Sequence, residues 1–143
     1  MTSKVMTFKD LYAQLYRVFG DFVRERHATE ELCAVHLPGG HPFPVLIGLR
    51  HLGRVVEARV TVAPEVEVYS PGLCQWLLRE SEWLRPAVGH FAIVGRAEAV
   101  VRHTEFADGL TDDQLFFVVM VLSEKARATL ATLSEIGGAG PPP

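Results

Sequence analysis

The sequence predicts an α+β domain, in the order α-β-β-β-α-β-β-α, with a mainly antiparallel sheet flanked by helices. Three observations carry this. Val45, Ile47 and Leu49 alternate, Leu52-Gly53-Arg54 turns, and Val56, Ala58, Val60 and Val62 alternate on the return. A period of two on both sides of a turn marks an antiparallel hairpin with one face on a core and one in water. The other two observations are helical: an aromatic face near the start of the chain, and a marked helix start with an apolar stripe after Thr111.

Phe8, Leu11, Tyr12, Leu15, Phe19, Phe22 and Arg26 recur at helical spacing, with Thr7 placed to cap the start and Asp10 at the third helical position. This spacing predicts a helix over residues 7–28, in which Gly20 costs roughly 1 kcal/mol relative to alanine. Leu32 to Leu37 follows as a short strand, closed by Pro38-Gly39-Gly40, and Pro42 and Pro44 keep the next connection extended. In the hairpin, Glu57, Arg59 and Thr61 take the side opposite the valines. Pro64 ends it.

Ser70-Pro71 opens a second helix, serine as N-cap and proline at the first position, where its missing N–H costs nothing. Leu73, Trp76, Leu77 and Leu84 form its apolar side and Pro86 stops it. Residues 88–105 supply a second hairpin around Gly95-Arg96, although the consecutive Val100-Val101 leaves its register open.

The last helix can be argued residue by residue. Thr111 and Gln114 form a capping box, and Leu110 and Leu115 a hydrophobic staple. Asp112 and Asp113 sit where the positive end of the helix dipole favours carboxylates, and Gly137-Gly138 reads as the stop. Leu115, Val119, Leu122, Ala126, Leu130 and Leu133 make one core stripe. Phe116, Phe117, Met120 and Val121 lie off it, so residues 115–122 are apolar all round. Two placements follow: a helix sandwiched between the sheet and another helix of the chain, or a surface for a partner or a second copy. Residues 1–137 are expected to form a single domain and 138–143 a disordered Gly/Pro tail.

Composition excludes several classes. A net charge of −3 leaves no basic footprint for nucleic acid or an anionic membrane. Residues 1–6 lack a signal-peptide core and no apolar run approaches the ~20 residues of a bilayer span, so the expectation is cytoplasmic. Cys33 and Cys74 are too few and too far apart for a disulfide framework, and read as buried thiols. Apolar residues make up 48% of the chain, high for a small domain and a sign of surface covered by a partner. Eleven arginines against three lysines, with no asparagine, point to a GC-rich bacterial genome.

No catalytic chemistry is visible. The six histidines, His27, His36, His41, His51, His90 and His103, form no pair with metal-ligand spacing, although His90 and His103 are placed to approach across the second hairpin. There is no nucleophile elbow, reactive-cysteine context or glycine-rich phosphate loop. Glu30-Glu31 and Asp112-Asp113 are sequence neighbours, which reads as solvated ends and caps. The expectation is no enzyme, no cofactor and no metal.

Gly89-His90-Phe91-Ala92-Ile93, Val100-Val101-Arg102-His103 and Gly109-Leu110-Thr111-Asp112-Asp113-Gln114-Leu115 resemble the hairpin and final helix of the YbjN and type III secretion chaperone-like superfamily. Trp76 to Glu80 and the aromatic first helix fit the same pattern, over residues 7–137, and the composition suits an actinobacterial-type member. The resemblance implies a small secretion-chaperone-like α+β domain, often homodimeric, that binds unfolded or extended segments of partner proteins without cofactor or catalysis. Secretion members tend to be strongly acidic and this chain is mildly so; the fold transfers better than the secretion role.

The expectation is a non-enzymatic peptide- or protein-binding module that sequesters an apolar segment of a protein client. The interface candidates, for client or homodimer, are Leu73, Trp76, Leu77, Phe116, Phe117 and Met120. Two rivals stand beside it: a self-associating structural subunit without a client, and a small ligand sensor or enzyme using His90 and His103.

Overall fold

Thr7 begins the first helix as its position predicts. Its hydroxyl accepts from the Asp10 N–H at 3.1 Å and the Asp10 carboxylate accepts from the Thr7 N–H at 3.2 Å, closing a capping box. The computed structural model describes residues 5–27, 31–39, 41–63, 79, 89–94 and 98–139. Helix α1 (Phe8–Phe19) leads through a short 3-10 turn into strand β1 (Val23–His27), followed by β2 (Leu32–Val35), β3 (Val45–Arg50), β4 (Val55–Ala63), β5 (His90–Val94), β6 (Glu98–Phe106) and helix α2 (Asp112–Ala139). The strands form one sheet in the order β1-β2-β3-β4-β6-β5, with every neighbouring pair antiparallel.

The β3–β4 hairpin follows its alternation. Val56, Ala58, Val60 and Val62 are buried while Glu57, Arg59 and Thr61 lie half-buried on the other face. Across the ladder Val45 pairs with Val60, and Val60 with Val101. This row packs with Leu11 and Leu15 of α1 and with Leu115, Val119, Leu122 and Ala126 of α2 in a single core. Both described helices therefore cover the same face of the sheet. Each fully buried Leu or Val contributes about 1.5–3 kcal/mol.

Three boundaries depart from the sequence reading. The first helix stops at Phe19 instead of running to residue 28, because Gly20 takes φ +57°, ψ −127°, a conformation open to glycine and costly for other residues. Its N–H still bonds the Tyr16 carbonyl, so the helix is capped as well as broken. Val23–His27 then pairs with Leu32–Val35, adding a strand and making six in the sheet. The second departure is at the far end, where α2 runs to Ala139, through Gly137-Gly138. Two glycines lower helix propensity without forbidding helix. Third, the strand expected over Leu32 to Leu37 ends at Val35. The helix expected over Ser70 to Pro86, and with it Leu73, Trp76 and Leu77, lies outside the described residues, as do Gly95-Arg96, Cys74 and residues 140–143.

Candidate interaction surface

The start of α2 is set by a joint with α1. Thr111 and Gln114 close a second capping box, with the Gln114 N–H donating to the Thr111 hydroxyl at 3.1 Å and the Thr111 N–H to Gln114 Oε1 at 2.9 Å. The buried Gln14 amide on α1 donates to the Leu110 carbonyl at 3.1 Å and to Asp112 Oδ1 at 3.0 Å. Arg17, one turn-face further, forks the same carboxylate through Nε and a terminal nitrogen, both at 2.8 Å. These hydrogen bonds, Arg17 first and Gln14 second, hold the Asp112 carboxyl down to about 2. The ion pair is exposed and adds little stability by itself; its two parallel bonds fix orientation.

That joint decides what the helix presents. Phe116 stacks on Phe19 of α1, ring centroids 5.8 Å apart and planes 18° apart. One side of Phe116 is thereby supported by α1 while 48% of the residue remains exposed. Met120 follows four residues on and is 41% exposed; Phe117 beside them is 55% exposed. On the opposite side of the same turns, Leu115, Val118, Val119 and Leu122 are buried. The helix is thus apolar on both faces over two turns, and α1 covers one flank of it. The Glu124–Arg127 ion pair returns the surface to ordinary polarity one turn later.

Of the sequence's interface candidates, the structure brings Phe116, Phe117 and Met120 together on the outside of α2. It adds Phe19 as the support beneath Phe116, and Tyr16, half-exposed and stacked on Tyr12 at 6.4 Å, on the neighbouring helix. The first-helix spacing singled out Phe19 as core, but nothing local tells which aromatic ring of a second helix it meets.

The two histidines of the second hairpin are separated by the register. His90 stands opposite Arg102, whose Nε donates to His90 Nε2 at 3.2 Å. His103, the next residue along β6, points to the other face, where its Nδ1 accepts from the Gly89 N–H at 3.3 Å and its Nε2 meets Glu105 at 2.8 Å. Burial first, and the Arg102 charge second, push the His90 pKa down. Among the described residues no three His, Cys, Asp or Glu side chains converge to hold a metal, and no helix is long and apolar enough to cross a membrane.

Sequence comparison finds no matching family model and no matching curated protein. Comparison of folds does find matches. The type III secretion chaperone SycH of Yersinia pestis, solved in complex with a stable fragment of YscM2, superimposes with a TM-score of 0.61 at 15% identity, over 86% of this chain and 99% of that one. The chain has a type III secretion chaperone fold. A chain of the ExoU–SpcU heterodimer, from the type III secretion system of Pseudomonas aeruginosa, matches with a TM-score of 0.59 at 13% identity, over 83% of this chain and 93% of that one. An uncharacterized protein from Methanothermobacter thermautotrophicus matches this chain with a TM-score of 0.59 at 13% identity, over 91% and 97% of the two chains. At these identities the likeness establishes the fold; two of the three relatives were solved with a protein partner.

Proposed function

We propose that this chain is a non-enzymatic, chaperone-like protein-binding module, cytoplasmic and homodimeric, that holds an apolar segment of a partner protein against the outside of α2. One observation carries the reading: Phe116, Phe117 and Met120 stand exposed on a helix whose other face is fully committed to the core. A rigid helix with aromatic and methionine side chains outward is suited to varied apolar segments, because methionine adapts its shape and aromatic rings lose little conformational freedom. The secretion-chaperone fold, seen in relatives holding protein partners, supports the same reading. Kinship with the YbjN-type branch is read from the Gly89-to-Ile93, Val100-to-His103 and Gly109-to-Leu115 motifs, and the actinobacterial type from the composition; the fold transfers better than the secretion role. Leu73, Trp76 and Leu77 remain interface candidates on their sequence pattern alone.

The test is affinity purification of the tagged protein from its native host, beside Phe117→Asp. One dominant partner, retained by the wild type and lost by a variant that melts normally, is the expected result. If Phe117→Asp fails to fold, the residue is core and the surface is misassigned. If wild type and variant capture the same proteins, the segment binds elsewhere. A bare homodimer with nothing captured favours the client-free structural subunit.

A further inference from the structure

Gln14 spends both hydrogens of its side-chain amide within the protein, one on the Leu110 carbonyl at 3.1 Å and one on Asp112 Oδ1 at 3.0 Å. Those two bonds fix which way round the amide sits, because only its nitrogen can donate. Its oxygen, Oε1, accepts no hydrogen bond among the described residues, although Gln14 is only 8% exposed. Among those residues the one sealed side-chain polar atom without a partner is His41 Nδ1, so Gln14 Oε1 keeps contact with solvent. The space it faces is a recess of about 500 Å³ between α1 and residues 107–110. An acceptor set in a nearly buried side chain and opening into a recess is placed to receive a donor from outside.

The recess is mixed in chemistry: Asp10, Gln14 and Arg17 give it a polar wall, and Met6, Ala13 and Leu110 an apolar one. Backbone bonds hold its shape. The Met6 N–H donates to the Gly53 carbonyl at 2.9 Å, and the Leu110 N–H to the Ala107 carbonyl at 3.2 Å. Asp10 and Gln14 are four residues apart on α1, so their oxygens share one face of the helix. The Thr7 N–H takes one acceptor position of the Asp10 carboxylate, which has about four. Arg17 does not make this an anion site. Its Nε and a terminal nitrogen fork the Asp112 carboxylate, so an entering anion would meet two carboxylates with the arginine already engaged. Oxygen acceptors beside a short apolar wall suit a donor-rich cation carried on an aliphatic stem.

We propose that this recess is a binding site for an organic ammonium group, which donates to Gln14 Oε1 and to the Asp10 carboxylate while its aliphatic stem lies along Met6, Ala13 and Leu110. A free alkylamine and the lysine side chain of a protein partner present this same chemistry. The site uses none of Phe116, Phe117 and Met120, so it stands or falls separately from the surface proposed above.

An NMR titration of the full chain with butylammonium chloride tests it, following the Gln14 side-chain amide and the Gly109 backbone amide. Butanol and sodium butyrate are the neutral and anionic controls, and the wild type is compared with Ala13→Leu and Asp10→Asn. Leucine at the exposed Ala13 position fills the recess and keeps α1 helical. Asparagine at position 10 keeps an acceptor for the Thr7 N–H and removes the charge. Butylammonium should give saturable shifts that neither control gives, with the half-saturating concentration raised roughly tenfold or more in each variant. A wild type that does not saturate overturns the site, as does an equal response to butanol or an unaltered titration in Ala13→Leu. If Asp10→Asn does not fold, Ala13→Leu decides. A parallel titration with Nα-acetyl-lysine amide separates the two sources. Saturation at an equal or lower concentration than butylammonium assigns the site to a partner's lysine, and a weaker response assigns it to a free amine. Failure here leaves the Phe117→Asp capture result standing.

Discussion

Gly53→Ala should destabilise the domain by roughly 2 kcal/mol, and the structure shows why. At φ +85°, an added Cβ would stand 2.3 Å from the Met6 carbonyl oxygen and 2.9 Å from a Val5 methyl. Ordinary contacts of this kind lie at roughly 3.5 Å, so the segment leading into α1 must move by about 1 Å. That movement breaks the 2.9 Å bond from the Met6 N–H to the Gly53 carbonyl. The left-handed conformation costs alanine roughly 1–2 kcal/mol and the lost hydrogen bond about 1 kcal/mol. Reduced freedom of the unfolded chain returns roughly 0.4–1 kcal/mol. Thermal unfolding followed by circular dichroism should show Tm lowered by about 4–8 °C. Leu52→Asn, one residue away, should leave Tm unchanged or raise it, since asparagine tolerates positive φ and no packing is lost. A Gly53→Ala melting point equal to that of the wild type would refute the close approach of residues 5–6 to the turn. A Leu52→Asn loss as large as that of Gly53→Ala would show that Leu52 is packed within its own chain.

Other outcomes follow from the joint, the core and the second hairpin. Because the Asp112 carboxyl is held at about 2 against an ordinary 3.8, its contribution is present above 3.8 and is lost as pH falls toward 2. Asp112→Asn should therefore melt below the wild type at pH 6 and converge with it near pH 2, as read from an acid series of melting curves. Leu122→Ala opens a cavity beneath Gly89 and beside Val101 and should cost roughly 2–5 kcal/mol in denaturant unfolding, with Phe117-side binding retained in the folded fraction. Arg102→Ala should raise the His90 pKa measured by NMR titration, yet leave it below the ordinary histidine range, because burial is the larger cause of the shift. An unchanged His90 titration would show that the Arg102 contact is absent in solution.

How much of the surface was readable from sequence differs residue by residue. Phe116, Phe117 and Met120 stand out because they fall off the stripe defined by Leu115, Val119 and Leu122. That arithmetic needs helix geometry alone. Whether they are covered was undecidable locally, since it depends on where α1 lies, and the Gln14–Arg17–Asp112 joint sets that across more than ninety residues of chain. Leu52 reads in the sequence as one letter of a turn; its left-handed backbone and its exposure exist only in the fold.

What the sequence by itself determined is local: the two capping boxes, the core stripe of α2, and the β3–β4 hairpin with its turn. Each depends on residues within a few positions of one another, so spacing and hydrogen-bonding capacity are enough. Tertiary structure decided the rest. Phe19, Phe22 and Arg26 fit a helical spacing as written, yet Val23–His27 becomes a strand, because Gly20 offers a break and the open edge of β2 offers a row of backbone partners. Val100 and Val101 are equally apolar, and only the ladder with β4 turns Val101 to the core face against Val60 while Val100 is buried on the other side. The exposed aromatic face of α2 belongs to the same category: among the described residues its apolar surface exceeds what the sheet and α1 cover, and where the surplus falls is a property of packing.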